Sequence, residues 1–160
     1  MAVAREAWRR GAEEKDLEQN IDSMLERIRR DRGSGFSFLD FKTGTGGIIE
    51  AEFLVQALQM RAGIWNQNWS DALAELVRQR ALSDSEGASL KTAYDFLRRC
   101  ESVLRRREDK STSTLPGDEL EQRKLARWVD CETVESFQKE YSAARETIHG
   151  IYLRKLAPGK

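Results

Sequence analysis

The stretch that decides the fold is Val134–Leu156, VESFQKEYSAARETIHGIYLRKL, preceded by Thr133. Its apolar residues Val134, Phe137, Tyr141, Ala144, Ile148 and Ile151 alternate spacings of three and four, which places them along one stripe of an α-helix. A stripe that narrow and regular is the seam of a helix packed lengthwise on other helices. Thr133 supplies a side-chain cap at its start.

Working outward, the same period recurs through the chain. Ser83 and Glu86 form a capping box that opens a long helix, predicted over about 84–109. Its stripe is Leu90, Tyr94, Leu97, Glu101 and Leu104. Asp118 and Glu121 form a second capping box before a helix at about 119–130, after a break at Thr114-Leu115-Pro116-Gly117. Ser70 is read as the cap of a helix at about 71–81. The run IIEAEFLVQALQMRA predicts a helix over 48–62 that stops at Gly63 and is apolar nearly all round, hence central. Residues 2–32 are charged, with Leu17, Ile21, Leu25 and Ile28 as a narrow helical stripe. Leu and Ala, 16 each, outnumber the 13 Val plus Ile, in keeping with helix throughout. The fold class expected is all-α, an up-and-down antiparallel helical bundle with a long N-terminal helix and one short glycine-rich extended segment. The division expected is 1–47, a helical arm with the Gly-rich loop, and 48–157, the bundle.

Composition excludes more than it assigns. The chain has 160 residues with 27 Lys+Arg against 27 Asp+Glu, so nothing marks it for general nucleic-acid binding. No apolar run approaches a membrane span, and the N-terminus lacks the apolar core of a secretory signal. Cys100 and Cys131 are 31 apart with only His149 as an imidazole partner, so zinc is not expected and both are read as buried or half-buried thiols. His149 is read as an ordinary helix histidine. The localisation expected is cytoplasmic.

Five of the eleven glycines, Gly33, Gly35, Gly44, Gly46 and Gly47, lie within fifteen residues. Gly44-Thr45-Gly46-Gly47 leads into an apolar helix, so it is either a tight structural turn or an anion cradle at a helix N-terminus. It is not a P-loop, because no Gly-Lys-Ser/Thr follows, and Ile49 breaks the dinucleotide fingerprint. Glu50 and Glu52 are two apart and point to different sides of their helix, so they cannot act as a close acid–base pair. One can cap the helix start; the other reading is a Glu buried against a base such as Lys42. Trp65 and Trp69 bracket Asn66-Gln67-Asn68 and are read as anchors of that loop rather than a ligand stack. The arginines Arg98, Arg99, Arg105, Arg106 and Arg107 describe a solvated helix face or, alternatively, a surface for an acidic protein.

Three segments together resemble one family. Asp40-Phe41-Lys42-Thr43-Gly44-Thr45-Gly46-Gly47-Ile48-Ile49-Glu50-Ala51-Glu52-Phe53-Leu54-Val55-Gln56 is similar to the Lys-x-Gly-x-Gly-Gly stretch of glutamine synthetase adenylyltransferases. Ala93-Tyr94-Asp95-Phe96-Leu97-Arg98-Arg99-Cys100-Glu101 and Thr112-Ser113-Thr114-Leu115-Pro116 resemble two later motifs of that family, in its order. The resemblance implies an enzyme that moves AMP between ATP and a tyrosine of glutamine synthetase, removes it by phosphorolysis, and responds to the PII signal protein and glutamine. It implies Mg²⁺ and ATP in the full-length enzyme and none for this chain alone. The catalytic Asp-x-Asp of such enzymes is absent from this sequence, so the chain is expected to be inactive alone, as the tail of one nucleotidyltransferase half with its helical bundle. By resemblance, Lys42, Gly44, Gly46, Gly47, Glu50 and Glu52 close the edge of the nucleotide site. The alternative is a stand-alone helical adaptor without catalysis, and a uridylyltransferase bundle is a third, less favoured reading.

Overall fold

A computed structural model describes residues 17–31, 38–108 and 113–157. Those residues form six helices: α1 Leu17–Asp31, α2 Ile48–Ala62, α3 Trp69–Arg78, α4 Asp84–Glu108, α5 Glu119–Trp128 and α6 Val134–Leu156. The fold is all-α. The N-terminal part of the expected long helix, before Leu17, and the loop residues 32–37 with Phe36 lie outside the described residues. Of the expected extended piece, the described part is an isolated antiparallel bridge between Asp40 and Thr114, backed by Leu115 N donating to Leu39 O at 2.8 Å.

Side-chain pairings set the helix directions. Glu86 meets Lys155 near one end of the α4–α6 pair, and Phe96 meets Phe137 further along, so these two helices run antiparallel. Glu52 meets Tyr94 while Lys42, before α2, meets Glu101, so α2 also opposes α4. Asp22 reaches Tyr152 and Arg29 reaches Glu50, which turns α1 against α6. The four longer helices therefore alternate in direction, with short α3 and α5 between them. The packing of α6 is visible in its buried residues: the whole predicted seam, plus Arg145, Tyr152 and Leu156 on the same side.

Helix ends follow local chemistry. The α4 box forms as expected, with Ser83 N donating to Glu86 Oε2 at 3.0 Å and Glu86 N to Ser83 Oγ at 3.1 Å. Thr133 caps α6 reciprocally with Ser136. The cap expected of Ser70 is corrected: Asn68 Oδ1 accepts from Asp71 N at 3.1 Å, so α3 starts two residues earlier and Ser70 lies inside its first turn. Asn is as good a cap as Ser, and here its position fits the loop geometry. α3 and α5 stop earlier than predicted, at Arg78 and Trp128, because Arg80 and Asp130 take left-handed backbone (φ 61° and 64°).

Candidate functional site

The glycine turn is the most tightly built part of the molecule. Asp40, fully buried, accepts from Lys42 N at 3.0 Å and Thr43 N at 2.8 Å through Oδ1, and from Thr43 Oγ1 through Oδ2. An aspartate folding the next residues back in this way is a standard device for starting a turn. Gly47 N then donates to Gly44 O (2.9 Å), Ile48 N to Phe41 O (3.0 Å) and Ile49 N to Lys42 O (3.0 Å). Gly46 N donates to Glu50 Oε2 at 3.1 Å. The amides that would meet an anion at this helix N-terminus are thus engaged inside the turn, which is the tight structural turn rather than an open cradle.

Gly46 and Gly44 bring the turn against α6, while Gly47 is closed in by the turn's own carbonyls. A Cβ on Gly46, which has φ 69°, would overlap the Arg145 carbonyl oxygen and sit 2.7 Å from its carbon. A Cβ on Gly44 would strike the Asp40 carbonyl oxygen and lie 2.7 Å from an Arg145 guanidinium nitrogen. Arg145 holds the turn from its other side: Nε donates to Thr45 O at 2.8 Å, and Nη1 donates to Phe38 O and to Tyr141 Oη. Tyr141 Oη in turn donates to Phe38 O at 2.8 Å, and burial pushes its phenol up to about 12. The Arg145 guanidinium also lies 5.4 Å from the half-exposed Phe38 ring and 5.3 Å from that of Tyr141.

Two buried carboxylates flank the turn, each matched by two cationic groups or their imidazole equivalent. Glu50, 1% exposed, accepts from Arg29 and lies 2.7 Å from His149 Nδ1. Glu101, 2% exposed, accepts from Lys42 Nζ at 2.9 Å and Arg98 Nη1 at 2.7 Å. An isolated buried carboxylate is strongly unfavourable, and the hydrogen bonds to these basic partners offset that cost. Glu50 sits in the first turn of α2, where it ties back to Gly46 N rather than capping the helix, and it is buried against basic groups, but the base is Arg29 with His149, not Lys42. Lys42 is drawn instead to Glu101, 59 residues on. His149, expected to be an ordinary helix histidine, lies in α6 and also ties it to α2 through Glu50.

Of the six residues expected at a nucleotide edge, Lys42, Gly44, Gly46, Gly47 and Glu50 come together in this turn. Glu52 does not; it lies on the other side of α2, where Tyr94 Oη donates to its Oε1 at 2.9 Å. Burial and the Glu52 charge both raise the Tyr94 phenol. Among the described residues no cluster of three or more His, Cys, Asp or Glu is placed to hold a metal ion. With the turn amides engaged as well, these residues do not fit Mg²⁺–ATP by themselves. Arg145 and His149 were not legible as site residues. The one available signal was an arginine four residues after Tyr141 and three before Ile148, on the apolar stripe.

Trp69 does anchor its loop, stacking on Tyr94 with ring centroids 3.8 Å apart. Both cysteines are buried free thiols; burial pushes Cys100 up to about 12 and Cys131 to about 11. The arginine-rich face of α4 is exposed, with Arg99 bridging to Asp130. No helix among the described residues is long and apolar enough to cross a membrane.

Comparison with known proteins bears on this architecture. A family profile described as GlnD PII-uridylyltransferase matches residues 15–154. A bifunctional glutamine synthetase adenylyltransferase/adenylyl-removing enzyme from Methylococcus capsulatus is 35% identical over 139 residues. That match takes in 84% of this chain but only 14% of the relative's length.

Proposed function

The chain belongs to the family described as GlnD PII-uridylyltransferase, and from that premise we propose that it is the helical scaffold or regulatory segment of an enzyme that adenylylates and deadenylylates glutamine synthetase. Its similarity to the Methylococcus enzyme, together with the three motifs, supports the adenylyl-transfer branch. In this reading residues 1–47 close a nucleotidyltransferase domain and 48–157 form the bundle that orients it. The full enzyme would use ATP and Mg²⁺, act in the cytoplasm and answer to PII.

The observation that carries the reading is the wedge of Gly46 against the Arg145 backbone of α6, with the Arg145 side chain lying beside Gly44 and clamping the turn. The turn from Phe38 to Gly47 is thereby held against the bundle. This is the geometry a scaffold needs, because catalytic groups must be held to within a fraction of an ångström. The edge role of Lys42, Gly44, Gly46, Gly47 and Glu50 remains part of the proposal, supported by the motif resemblance; Glu52, on the other side of α2, is left out of it. The engaged amides favour support of a neighbouring nucleotide site over direct phosphate contact.

The test is turnover. The 160-residue chain alone, given glutamine synthetase, Mg²⁺ and ATP or phosphate, should neither add nor remove AMP. The intact enzyme carrying Gly46→Ala should lose activity with its metal-binding residues untouched. Turnover by the chain alone, or full activity of the intact variant, would overturn the scaffold reading.

A further inference from the structure

A cavity of about 410 Å³ opens between α2, the loop after it and the start of α3. Its walls include Glu52, Gln59, Trp65, Asn66, Gln67 and Trp69. The volume is within the range of small-ligand sites. Its charge is one-sided: among the described residues Glu52 is the single ionisable one on the wall, and no Lys or Arg lines it.

Glu52 differs in its partners from Glu50 and Glu101. Glu50 and Glu101 each have basic partners, whereas Glu52 has only the Tyr94 hydroxyl among the described residues. A hydroxyl donates a hydrogen bond but brings no compensating charge. Gln59, 4% exposed, has its amide nitrogen held by Asn66 O at 3.0 Å, which leaves its side-chain oxygen as an acceptor on the cavity wall. The wall thus combines indole surface, an acceptor and a carboxylate short of a cation. Indole rings and carboxylates both favour cations, the rings through their quadrupole.

We propose that this cavity binds a guanidinium group, stacked against Trp65 and Trp69 and paired with Glu52. A planar guanidinium suits the site better than a point-charge ammonium, since it stacks and offers forked donors to Glu52 and Gln59 together. The proposal is independent of the adenylyl-transfer reading, because it concerns a different side of α2 from the glycine turn.

The probe is methylguanidinium, with methylurea as its neutral isostere, followed through the indole N–H signals of the four tryptophans in the 160-residue chain. Trp65→Phe and Trp69→Phe assign the two relevant signals. Methylguanidinium should move these two saturably with Kd of about 1 mM, and methylurea should bind at least about tenfold more weakly. Glu52→Gln should weaken methylguanidinium by about tenfold or more. Should that variant lose its fold, the guanidinium–urea comparison in the parent chain decides instead. No saturation by about 20 mM, or equal binding of the two probes, overturns the proposal. Agmatine and a blocked arginine tripeptide then distinguish a free small molecule from an arginine side chain of a protein; the tighter of the two names the source, and failure of both refutes the site.

Discussion

Gly46→Ala separates two effects that usually travel together. Gly46 and Gly63 both have left-handed backbone, φ 69° and 66°. An alanine at Gly63 meets nothing within 4 Å, so only the backbone penalty applies, about 1–2 kcal/mol. At Gly46 the same penalty operates, but the new methyl also overlaps the carbonyl of Arg145 and lies 2.8 Å from its Cα. Backbone atoms of a packed helix cannot swing aside as a side-chain tip can. The turn must lift off α6 by roughly an ångström, an overpacking strain of about 1–3 kcal/mol. That movement also stretches the Gly46–Glu50 and Arg145–Thr45 hydrogen bonds, worth about 1 kcal/mol each. Gly46→Ala should therefore cost about 3–6 kcal/mol, a large share of a typical domain's 5–15 kcal/mol. Urea unfolding of both variants, followed by far-UV circular dichroism, measures the difference. Equal losses at the two positions would refute the claim that the turn is wedged on α6.

Three further outcomes follow from the same contacts. Glu50→Ala should destabilise by about 3–5 kcal/mol in urea titrations, since Arg29 and His149 are left facing a carboxylate-free interior; a loss under about 1 kcal/mol would show the network to be dispensable. Cys100 and Cys131, with thiols raised to about 12 and 11 by burial, should react with Ellman's reagent at pH 8 only as fast as the protein opens. Rapid labelling of the folded chain is the contrary result. Glu86 is held below its ordinary 4.5 despite partial burial, by hydrogen bonds from Ser83 and Lys155. Its contribution is present above pH 4.5 and fades as pH falls through the lowered folded value, so the stability gap between wild type and Glu86→Gln, about 1 kcal/mol at pH 7, should close in acid. A gap independent of pH would contradict that sign.

The helices were legible in the sequence because their information is local. The three-four spacing of Val134 to Ile151, the Ser83–Glu86 box and the Thr133 cap each involve residues within a turn or two of each other. Solvation of one helix face and satisfaction of terminal amides are decided at that range. Even the exceptions are local: Asn68 displaced Ser70 as a cap, and positive φ at Arg80 and Asp130 ended two helices early.

The site was not legible in the same way. The sequence showed that Gly44, Gly46 and Gly47 cluster before an apolar helix, but not what they approach. Only the tertiary structure places the Arg145 backbone, far along the chain, against Gly46, and the reason is steric: nothing larger than hydrogen fits between two backbones in contact. Lys42 likewise had a nearby candidate in Glu50, yet pairs with Glu101 on α4, while Glu50 takes Arg29 and His149 from helices on either side of it in the chain. A buried charge accepts whichever partner the packing delivers to it, because leaving it unpaired is the more unfavourable state. Periodicity and capping therefore determined which residues are helical and which face inward; the fold alone decided which glycine touches which backbone and which carboxylate answers to which base.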